Sequence, residues 1–173
     1  MTTIILLAAG SSRRFGPLCK LQAPYRGKPL VRHPAEAILE TGLRALAVVA
    51  DPTVEALLPE FPVVRVAPGP QSASLKAGLS HVATGDALIV LGDMPHVTAA
   101  LIRRVAAAPA PATAWDGDRI MPPVSIPASL FQDVAKLTED RGAASLLRNR
   151  RDLHRIAVAP HVLKDVDRPA DLE

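Results

Sequence analysis

Small and basic residues near the start of the chain have the spacing of a phosphate-binding turn. Residues 7–20 read LAAGSSRRFGPLCK and continue an apolar run that is typical of a buried strand. Small residues at a strand exit let the backbone approach a ligand, and free N–H groups in a strand-to-helix turn attract phosphate. Arg14 and Lys20 add positive charge. The spacing matches neither G-x-x-x-x-G-K-S/T nor G-x-G-x-x-G, which disfavours a kinase-like P-loop and a dinucleotide site. A tight turn with solvated arginines is the alternative.

Acidic residues form the second candidate site. Asp93 follows the strongest predicted strand, in the sequence LGDMP. Open α/β sheets bind ligands at the carboxyl ends of their strands, and Mg²⁺ prefers carboxylate and phosphate oxygens, so Asp93 is a candidate metal ligand. A turn or helix-capping aspartate is the alternative. In KDVDRPADL, near the end of the chain, alternation places Asp165 and Asp167 on one face if the backbone is extended. Asp167 could also cap a short helix that begins at Pro169.

The elements that must position these residues alternate along the chain. Near-continuous apolar runs predict buried parallel strands at residues 3–8, 46–50, 63–67 and 87–91. Helical spacing predicts helices at residues 29–40, 72–82 and 98–107. Gly42 and Thr98 are the expected caps, with Pro34 in the first turn of its helix. This rhythm indicates right-handed βαβ units, so we expect an α/β fold with a three-layer, open, mainly parallel sheet.

The second half of the chain is less regular. Its pattern predicts a strand, a hairpin or loop insertion, two helices and a closing strand, at residues 112–115, 116–124, 128–137, 142–149 and 153–159 respectively.

The composition narrows the class of protein. A chain of 173 residues with 49% hydrophobic and 21% charged residues fits one globular domain, residues 1–173. A net charge of +3 with only 3% aromatic residues disfavours nucleic-acid binding. The single cysteine, Cys19, allows no intrachain disulfide and suits a reducing cytoplasm, and no apolar run reaches the roughly 18 residues of a membrane span. The five histidines show no metal-ligand spacing.

The N-terminal motif L-A-A-G-x-S-x-R-F-G-x-x-x-K resembles the signature of nucleotidyltransferases with a glycosyltransferase-A-like, Rossmann-like fold. Within them the chain is most similar to the molybdenum cofactor cytidylyltransferases and their guanylyltransferase relatives, over nearly its whole length. The resemblance implies that Arg14 and Lys20 neutralise the phosphates of a nucleoside triphosphate and act in catalysis with Asp93. It also implies a nucleotide-binding segment formed by Leu7, Ala8, Ala9, Gly10, Ser11 and Ser12.

Two further segments carry the resemblance to the substrate sites. GPQSASLKAGL resembles a family segment that lies against the base, which implies nucleotide binding by Gln71, Ser72 and Ser74. An ordinary helix capped by Ser72 is the alternative. EDRGAASLL resembles a segment that borders the second substrate, which implies acceptor binding by Arg141 and Gly142. Arg141 could equally be a solvated arginine.

A segment near the end of the chain also resembles the family and implies further metal ligands. KDVDRPADL resembles the D-I-D-T-P-E-D-L ending of the same family. We therefore expect one of Asp165 and Asp167, with Asp167 favoured, to complete a Mg²⁺ site with Asp93.

The resemblance implies transfer of a nucleoside monophosphate from a triphosphate to a phosphorylated acceptor, with release of pyrophosphate. CMP and molybdopterin are the expected group and acceptor, with a molybdoenzyme or its chaperone as a further partner. A Gly-His-Pro stretch is usual in the family before the acceptor-side strand, but residues 119–124 here read RIMPPV. Three alternatives therefore stay open: GMP transfer, transfer to a sugar phosphate or another small phosphometabolite, and a non-catalytic nucleotide-binding accessory protein.

Overall fold

Nine strands lie within the residues that the computed structural model describes, which are 1–10, 15, 19–139 and 141–172. Two of them pair only with each other, and the remaining seven form one sheet. The strands are β1 (Thr2–Ala8), β2 (Pro24–Tyr25), β3 (Lys28–Pro29), β4 (Ala45–Val49), β5 (Val63–Arg65), β6 (Asp86–Leu91), β7 (Ala112–Trp115), β8 (Ile120–Ile126) and β9 (His154–Ala157).

The main sheet has the order β5-β4-β1-β6-β8-β7-β9. Neighbouring strands are parallel except where β8 pairs with β6 and β7, to which it runs antiparallel. The mainly parallel open sheet predicted from the apolar runs is therefore confirmed.

Helices cover both faces of this sheet. The α-helices in the described part of the chain are α1 (Arg32–Thr41), α2 (Pro52–Glu55), α3 (Gln71–Leu79), α4 (Ala99–Ala107), α5 (Phe131–Ala135) and α6 (Ala143–Leu147). α1 and α4 pack on one face with Ile4 and Leu6 of β1, whereas α3, α5 and α6 pack on the other face with Ile5 and Leu7. Successive strand side chains point to opposite faces, so both faces of the apolar run are buried and the three predicted layers form.

The helix ends follow local sequence signals. Gly42 ends α1 with a φ of 72°, a left-handed conformation that glycine adopts without strain, as predicted. The Thr98 side chain accepts a hydrogen bond from the Leu101 N–H at 3.3 Å and caps α4, also as predicted. Ser72, by contrast, is not a cap, since α3 begins at Gln71 with Pro70 before it.

The start of the first helix was placed too early. α1 begins at Arg32 rather than at residue 29, although Pro34 does lie in its first turn. Pro29 instead pairs with Pro24 in the β2–β3 hairpin. The two residues of its turn, Arg26 and Gly27, have φ values of 46° and 86°, and tight hairpin turns need positive φ at these positions.

Strand β8 is the largest departure from the predicted pattern. Residues 116–124 do form a hairpin, but its second arm extends to Ile126 and lies between β6 and β7. A strand through Pro122 and Pro123 is unusual, because proline cannot donate ladder hydrogen bonds. The structure accommodates them in a break in register, where Thr113 pairs with Val124 and Ala114 with Met121.

The remaining C-terminal elements are present but shorter than predicted. Residues 128–137 divide into a 3₁₀-helix followed by α5, and α6 and β9 each lose residues at their ends. The 3₁₀-helices of the described chain are Lys20–Gln22, Ala128–Leu130, Pro160–Leu163 and Pro169–Leu172. Every helix within the described ranges is too short or too polar to span a bilayer.

Candidate active site

The predicted nucleotide-binding strand and the predicted metal ligand lie side by side at one edge of the sheet. β1 and β6 are parallel neighbours, so both carboxyl ends reach this edge. The Gly92 N–H donates to the Leu7 carbonyl at 2.9 Å, and a Cβ at Gly92 would lie 3.2 Å from that oxygen. Close contact of the two strand ends thus places Asp93 next to the exit of β1.

The described part of the β1 exit is mostly buried. Leu7, Ala8 and Ala9 are buried, and Gly10 is exposed. The other residues assigned to this turn by resemblance lie outside the described residues, namely Ser11, Ser12 and Arg14.

Lys20 joins the beginning of the chain to two acidic segments. It opens the 3₁₀-helix Lys20–Gln22, and its Nζ donates to Asp93 Oδ2 at 2.6 Å. The same ammonium donates to the Val166 carbonyl at 2.9 Å and to Asp167 Oδ1 at 3.3 Å. The Lys20 and Asp93 side chains are only 12% and 17% exposed, so this ion pair is shielded from bulk water. Lys20 is therefore held at the acidic site by three contacts.

The C-terminal segment is tied to the same place through its backbone. The Val166 N–H donates to the Asp93 carbonyl at 2.9 Å, and the Val166 side chain is buried. Asp171 Oδ2 accepts hydrogen bonds from the N–H groups of Asp167 and Arg168 at 3.0 and 2.9 Å. These contacts fix the turn that carries Asp165 and Asp167 toward Asp93.

The three predicted acidic residues come together as a group that fits a cation. Asp93, Asp165 and Asp167 each offer a carboxylate oxygen, and these oxygens lie within 4.8 Å of one another. Two oxygens bound to the same cation are separated by at most about 4–5 Å. With Lys20 they form what we call the charged cluster, whose side chains carry a net charge of −2 when all four are ionised. A divalent cation would balance this charge.

One oxygen of the charged cluster points to the same conclusion. Asp93 Oδ1 is buried and has no hydrogen-bond partner among the residues that the structure describes. Buried polar atoms are almost always paired, because leaving one unpaired is costly. An oxygen-seeking cation would satisfy this atom, so the donor set and its environment fit a divalent metal.

Burial and neighbouring charges shift the pKa values of two members of the cluster. For Lys20, burial alone lowers the pKa, but Asp93 and then Asp167 outweigh it, so the pKa is raised above its usual value. Burial, and then the nearby Asp93 and Asp167 carboxylates, raise the pKa of Asp165, against a smaller opposing effect of Lys20. The fold thus favours charged Lys20 and disfavours charged Asp165.

The predicted base-side and acceptor-side residues meet at the start of α3. The Ser72 N–H donates to the Glu139 carbonyl at 3.3 Å. A Cβ at Gly142 would lie 2.8 Å from Gln71 Oε1, so these two residues are in close contact. We call this region the α3 patch, formed by Gln71, Ser72, Ser74, Arg141 and Gly142.

The side chains of the α3 patch differ in their exposure. Ser72 and Ser74 are buried against the sheet, whereas Gln71 is half-buried and Arg141 is exposed. The patch follows β5 in a parallel βα unit, so it lies at the same edge of the sheet as the charged cluster.

Two contributors to the charged cluster were not identified in the sequence. The Val166 carbonyl binds Lys20, and Asp171 holds the preceding turn. Every residue has a carbonyl group, so Val166 carries no sequence signal. Asp171 is an ordinary acidic residue in a short C-terminal helix.

A family comparison covers most of the sheet. The family model described as a MobA-like NTP transferase domain matches residues 4–156. Two curated proteins, each described as bifunctional protein GlmU, are similar: one from Paramagnetospirillum magneticum is 31% identical over 112 residues, and one from Kineococcus radiotolerans is 37% identical over 121 residues. These alignments cover 60% and 61% of this chain but 25% and 24% of those proteins. The chain therefore spans about a quarter of the length of the curated relatives it matches.

Solved structures share the fold over nearly the whole chain. Rv0371c from Mycobacterium tuberculosis H37Rv has a TM-score of 0.87 at 27% identity, covering 99% of this chain and 95% of that one. A manganese complex of Rv0371C has a TM-score of 0.80 at 24% identity, covering 98% and 94%. Molybdopterin-guanine dinucleotide biosynthesis protein A from Archaeoglobus fulgidus has a TM-score of 0.68 at 17% identity, covering 98% and 94%. At these lower identities, the last two likenesses concern the fold alone.

Proposed function

The chain belongs to the MobA-like NTP transferase domain family, and from this premise we propose that it transfers a nucleoside monophosphate from a triphosphate to a phosphorylated acceptor. The charged cluster is the observation that carries the proposal, because Lys20 and three carboxylates from distant segments converge where β1 and β6 end. Residues 1–173 would act as one NTP-transferase domain, since one sheet includes strands from both halves of the chain.

The proposed reaction needs positioning more than proton transfer. An oxygen of the acceptor phosphate forms a bond to the α-phosphorus of the triphosphate, while the bond from that phosphorus to the bridging oxygen breaks and pyrophosphate leaves. The acceptor phosphate is already a nucleophile, so no general base is required. The protein must bring two polyanions together and stabilise charge on the α-phosphate.

Each charged residue has a proposed role in this reaction. Asp93, Asp165 and Asp167 would hold a divalent cation, for which we propose Mg²⁺. When bound, such a cation would supply Lewis-acid chemistry that makes the α-phosphorus more electrophilic. Lys20 would contact the triphosphate from its place between two of these carboxylates, together with Arg14.

The nucleotide is proposed to be CTP. The Ala-Ala-Gly form of the first loop and the Ser-Leu sequence of α3 resemble the cytidylyltransferases more than the guanylyltransferases, which more often carry Ala-Gly-Gly. The exit of β1, from Leu7 to Ser12, would hold the triphosphate and part of the base, with Gln71, Ser72 and Ser74 on the base side.

The base is tested by a thermal-shift panel of CTP, GTP, ATP and UTP, each with Mg²⁺. We expect CTP to raise the melting temperature most. A larger shift with GTP would replace CMP transfer by GMP transfer.

Molybdopterin is the proposed acceptor, with Arg141 and Gly142 on its side of the site, and a molybdoenzyme or its chaperone would receive the product. A sugar phosphate or another small phosphometabolite is the second candidate. The sequence RIMPPV at residues 119–124 keeps that candidate open, because it lacks the Gly-His-Pro stretch usual in the resembling family.

The acceptor is tested by product analysis, with molybdopterin and a set of sugar phosphates offered separately together with CTP. We expect a CMP adduct of molybdopterin and an equal amount of pyrophosphate. An adduct formed only on a sugar phosphate would support the second candidate. CTP binding without pyrophosphate release from any mixture would support a non-catalytic accessory protein instead.

A further inference from the structure

Three aromatic rings join the three segments that supply the charged cluster. Tyr25 lies five residues after Lys20, His96 lies three residues after Asp93, and His161 lies four residues before Asp165. The ring centroids of Tyr25 and His96 are 6.0 Å apart and edge to face, and those of His96 and His161 are 6.3 Å apart in the same arrangement. Each segment thus contributes one ring and at least one member of the charged cluster. We call Tyr25, His96 and His161 the ring cluster.

Tyr25 is the fixed member of this cluster. Its ring is buried and packs with Leu30 and Val166, the residue whose carbonyl binds Lys20. His33 lies edge to face with the Tyr25 ring at 5.3 Å, and its Nε2 is 2.8 Å from the Tyr25 carbonyl, to which its N–H donates. Packing and backbone contacts therefore hold Tyr25 on two sides.

The link from Tyr25 to His96 is also polar. The Tyr25 hydroxyl lies 3.2 Å from His96 Nε2. Burial, and then the basic neighbours of His96, lower the pKa of this imidazole; those neighbours are Arg26, His161, Lys164 and His33. A neutral imidazole can accept the hydroxyl hydrogen at Nε2. Burial and the basic surroundings thus favour the neutral imidazole that this hydrogen bond needs.

The charged cluster needs such support because its charges do not balance. Three carboxylates within 4.8 Å repel one another, and Lys20 offsets only one of their charges. We propose that the ring cluster positions the three segments, so that Lys20, Asp93 and the Asp165–Asp167 turn keep cation-binding geometry before any cation is bound. The contacts of Tyr25 and His96 described above are with neighbouring rings and apolar side chains, so we assign both as positioning residues. This inference rests on the proposed metal-dependent function and assigns to the rings a role in the same site.

The test is the affinity of the intact protein for Mn²⁺ alone, followed by electron paramagnetic resonance without nucleotide. Tyr25→Phe removes one hydroxyl group, and His96→Phe keeps a ring but removes the hydrogen-bonding nitrogen. Loss of a group that orients metal ligands typically weakens metal affinity about 10–100-fold. These rings act on the segments that carry the metal ligands rather than on the ligands themselves. We therefore expect the Mn²⁺ affinity to fall by about tenfold for each variant. The double variant should lose little more than either single one, since both remove the same hydrogen bond.

Two controls separate positioning from a general loss of stability. His154→Gln changes an exposed histidine of β9 and should bind Mn²⁺ as the unaltered protein does. His96→Gln keeps a hydrogen-bonding side chain and should recover part of the affinity that His96→Phe loses. Melting temperatures without metal, measured in parallel, report any effect on stability alone.

The outcomes distinguish the two proposals. Variants that are less stable but bind Mn²⁺ with unchanged affinity would overturn the positioning role and leave the metal site in place. Failure of the unaltered protein to bind Mn²⁺ would overturn the metal site itself, and the positioning role with it.

Discussion

The charged cluster and the α3 patch lie at the same edge of the sheet but are held together in different ways. In the charged cluster, Lys20 forms ion pairs with Asp93 and Asp167, which lie 73 and 147 positions further along the chain. Water has little access to the Lys20–Asp93 pair. In the α3 patch, the described contacts include a backbone hydrogen bond from Ser72 to Glu139 and the close packing of Gly142 on Gln71. Strong electrostatics therefore fix the proposed reaction centre, whereas packing of short elements shapes the proposed substrate contacts.

The largest effect is expected at Asp93. Asp93→Asn should leave the fold intact and lower kcat for nucleotidyl transfer by about 10²–10³-fold, the usual result of removing a well-placed charge-stabilising group. Steady-state pyrophosphate release measures the change. Asp118→Asn, in the exposed β7–β8 turn, is the matched control and should retain full activity. A nearly normal rate for Asp93→Asn would remove the charged cluster from the reaction.

A change at Lys20 should affect both the stability of the protein and its binding of the triphosphate. Breaking a buried ion pair costs about 3–5 kcal/mol, so Lys20→Met should lower the metal-free melting temperature by roughly 6–20 °C. It should also weaken triphosphate binding. Part of the lost stability should return with Mg²⁺, because a cation can replace the missing positive charge. Calorimetry with EDTA and with Mg²⁺ measures both effects.

Lys136 provides the control for this experiment. Its ion pair with Asp133 has comparable geometry at 2.8 Å, but the lysine side chain is 77% exposed. Lys136→Met should change the melting temperature by about 1–2 °C or less. Equal losses for the two lysine variants would contradict the shielded character of the charged cluster.

Asp165 should show that the charged cluster lowers the stability of the metal-free fold. Its pKa is raised in the fold, so its contribution is favourable at low pH, where the carboxyl is protonated, and is lost as the pH rises through the folded pKa. At neutral pH, Asp165→Asn should therefore raise the metal-free melting temperature by a few degrees and weaken Mn²⁺ binding. The gain should disappear at a pH below the usual aspartate range. Asp152, whose pKa Arg150 lowers, should give no such gain when changed to Asn.

Gly142 tests the α3 patch in isolation. A Cβ there would displace the Gln71 side chain, so Gly142→Ala should alter the nucleotide KM by a few-fold. Mn²⁺ affinity should stay unchanged, since the charged cluster is not touched. Equilibrium Mn²⁺ titration beside steady-state kinetics checks this split. A parallel loss of Mn²⁺ affinity would show that the two regions are coupled.

Arg141 should give the smallest effect. Its side chain is exposed, so Arg141→Ala should raise the KM for the acceptor by a few-fold and leave the nucleotide KM unchanged. Arg148→Ala, an exposed arginine at the end of α6, is the matched control. Identical kinetics for the two variants would make Arg141 a solvated arginine, the alternative that its sequence context left open.

Local signals explain what could be predicted from the sequence. The apolar runs before Gly10 and Asp93 predicted buried parallel strands, and parallel strands bring their carboxyl ends to one edge. The acidic residues and Lys20 were identified by charge, by their place in the predicted elements and by resemblance. Their convergence within 4.8 Å follows from strand order and from the return of the C-terminal segment to Asp93.

Long-range packing explains what could not be predicted. The pattern predicted only a hairpin or loop insertion at residues 116–124, yet a break in register lets β8, with Pro122 and Pro123, occupy the interior of the sheet. The histidines showed no pattern in sequence, because His96 and His161 meet Tyr25 only after three distant segments fold together. Gly142 and Gln71 likewise come into contact only when two distant segments fold together.

The most direct test of the central claim is transfer of label from α-phosphate-labelled CTP to molybdopterin, measured with Mg²⁺ and with EDTA, for the unaltered protein and Asp93→Asn. We expect labelled CMP on the acceptor and an equal amount of pyrophosphate for the unaltered protein with Mg²⁺, transfer about 10²–10³-fold slower for Asp93→Asn, and none in EDTA. Label transfer at a nearly normal rate in EDTA or in Asp93→Asn would contradict the account of the charged cluster as the reaction centre.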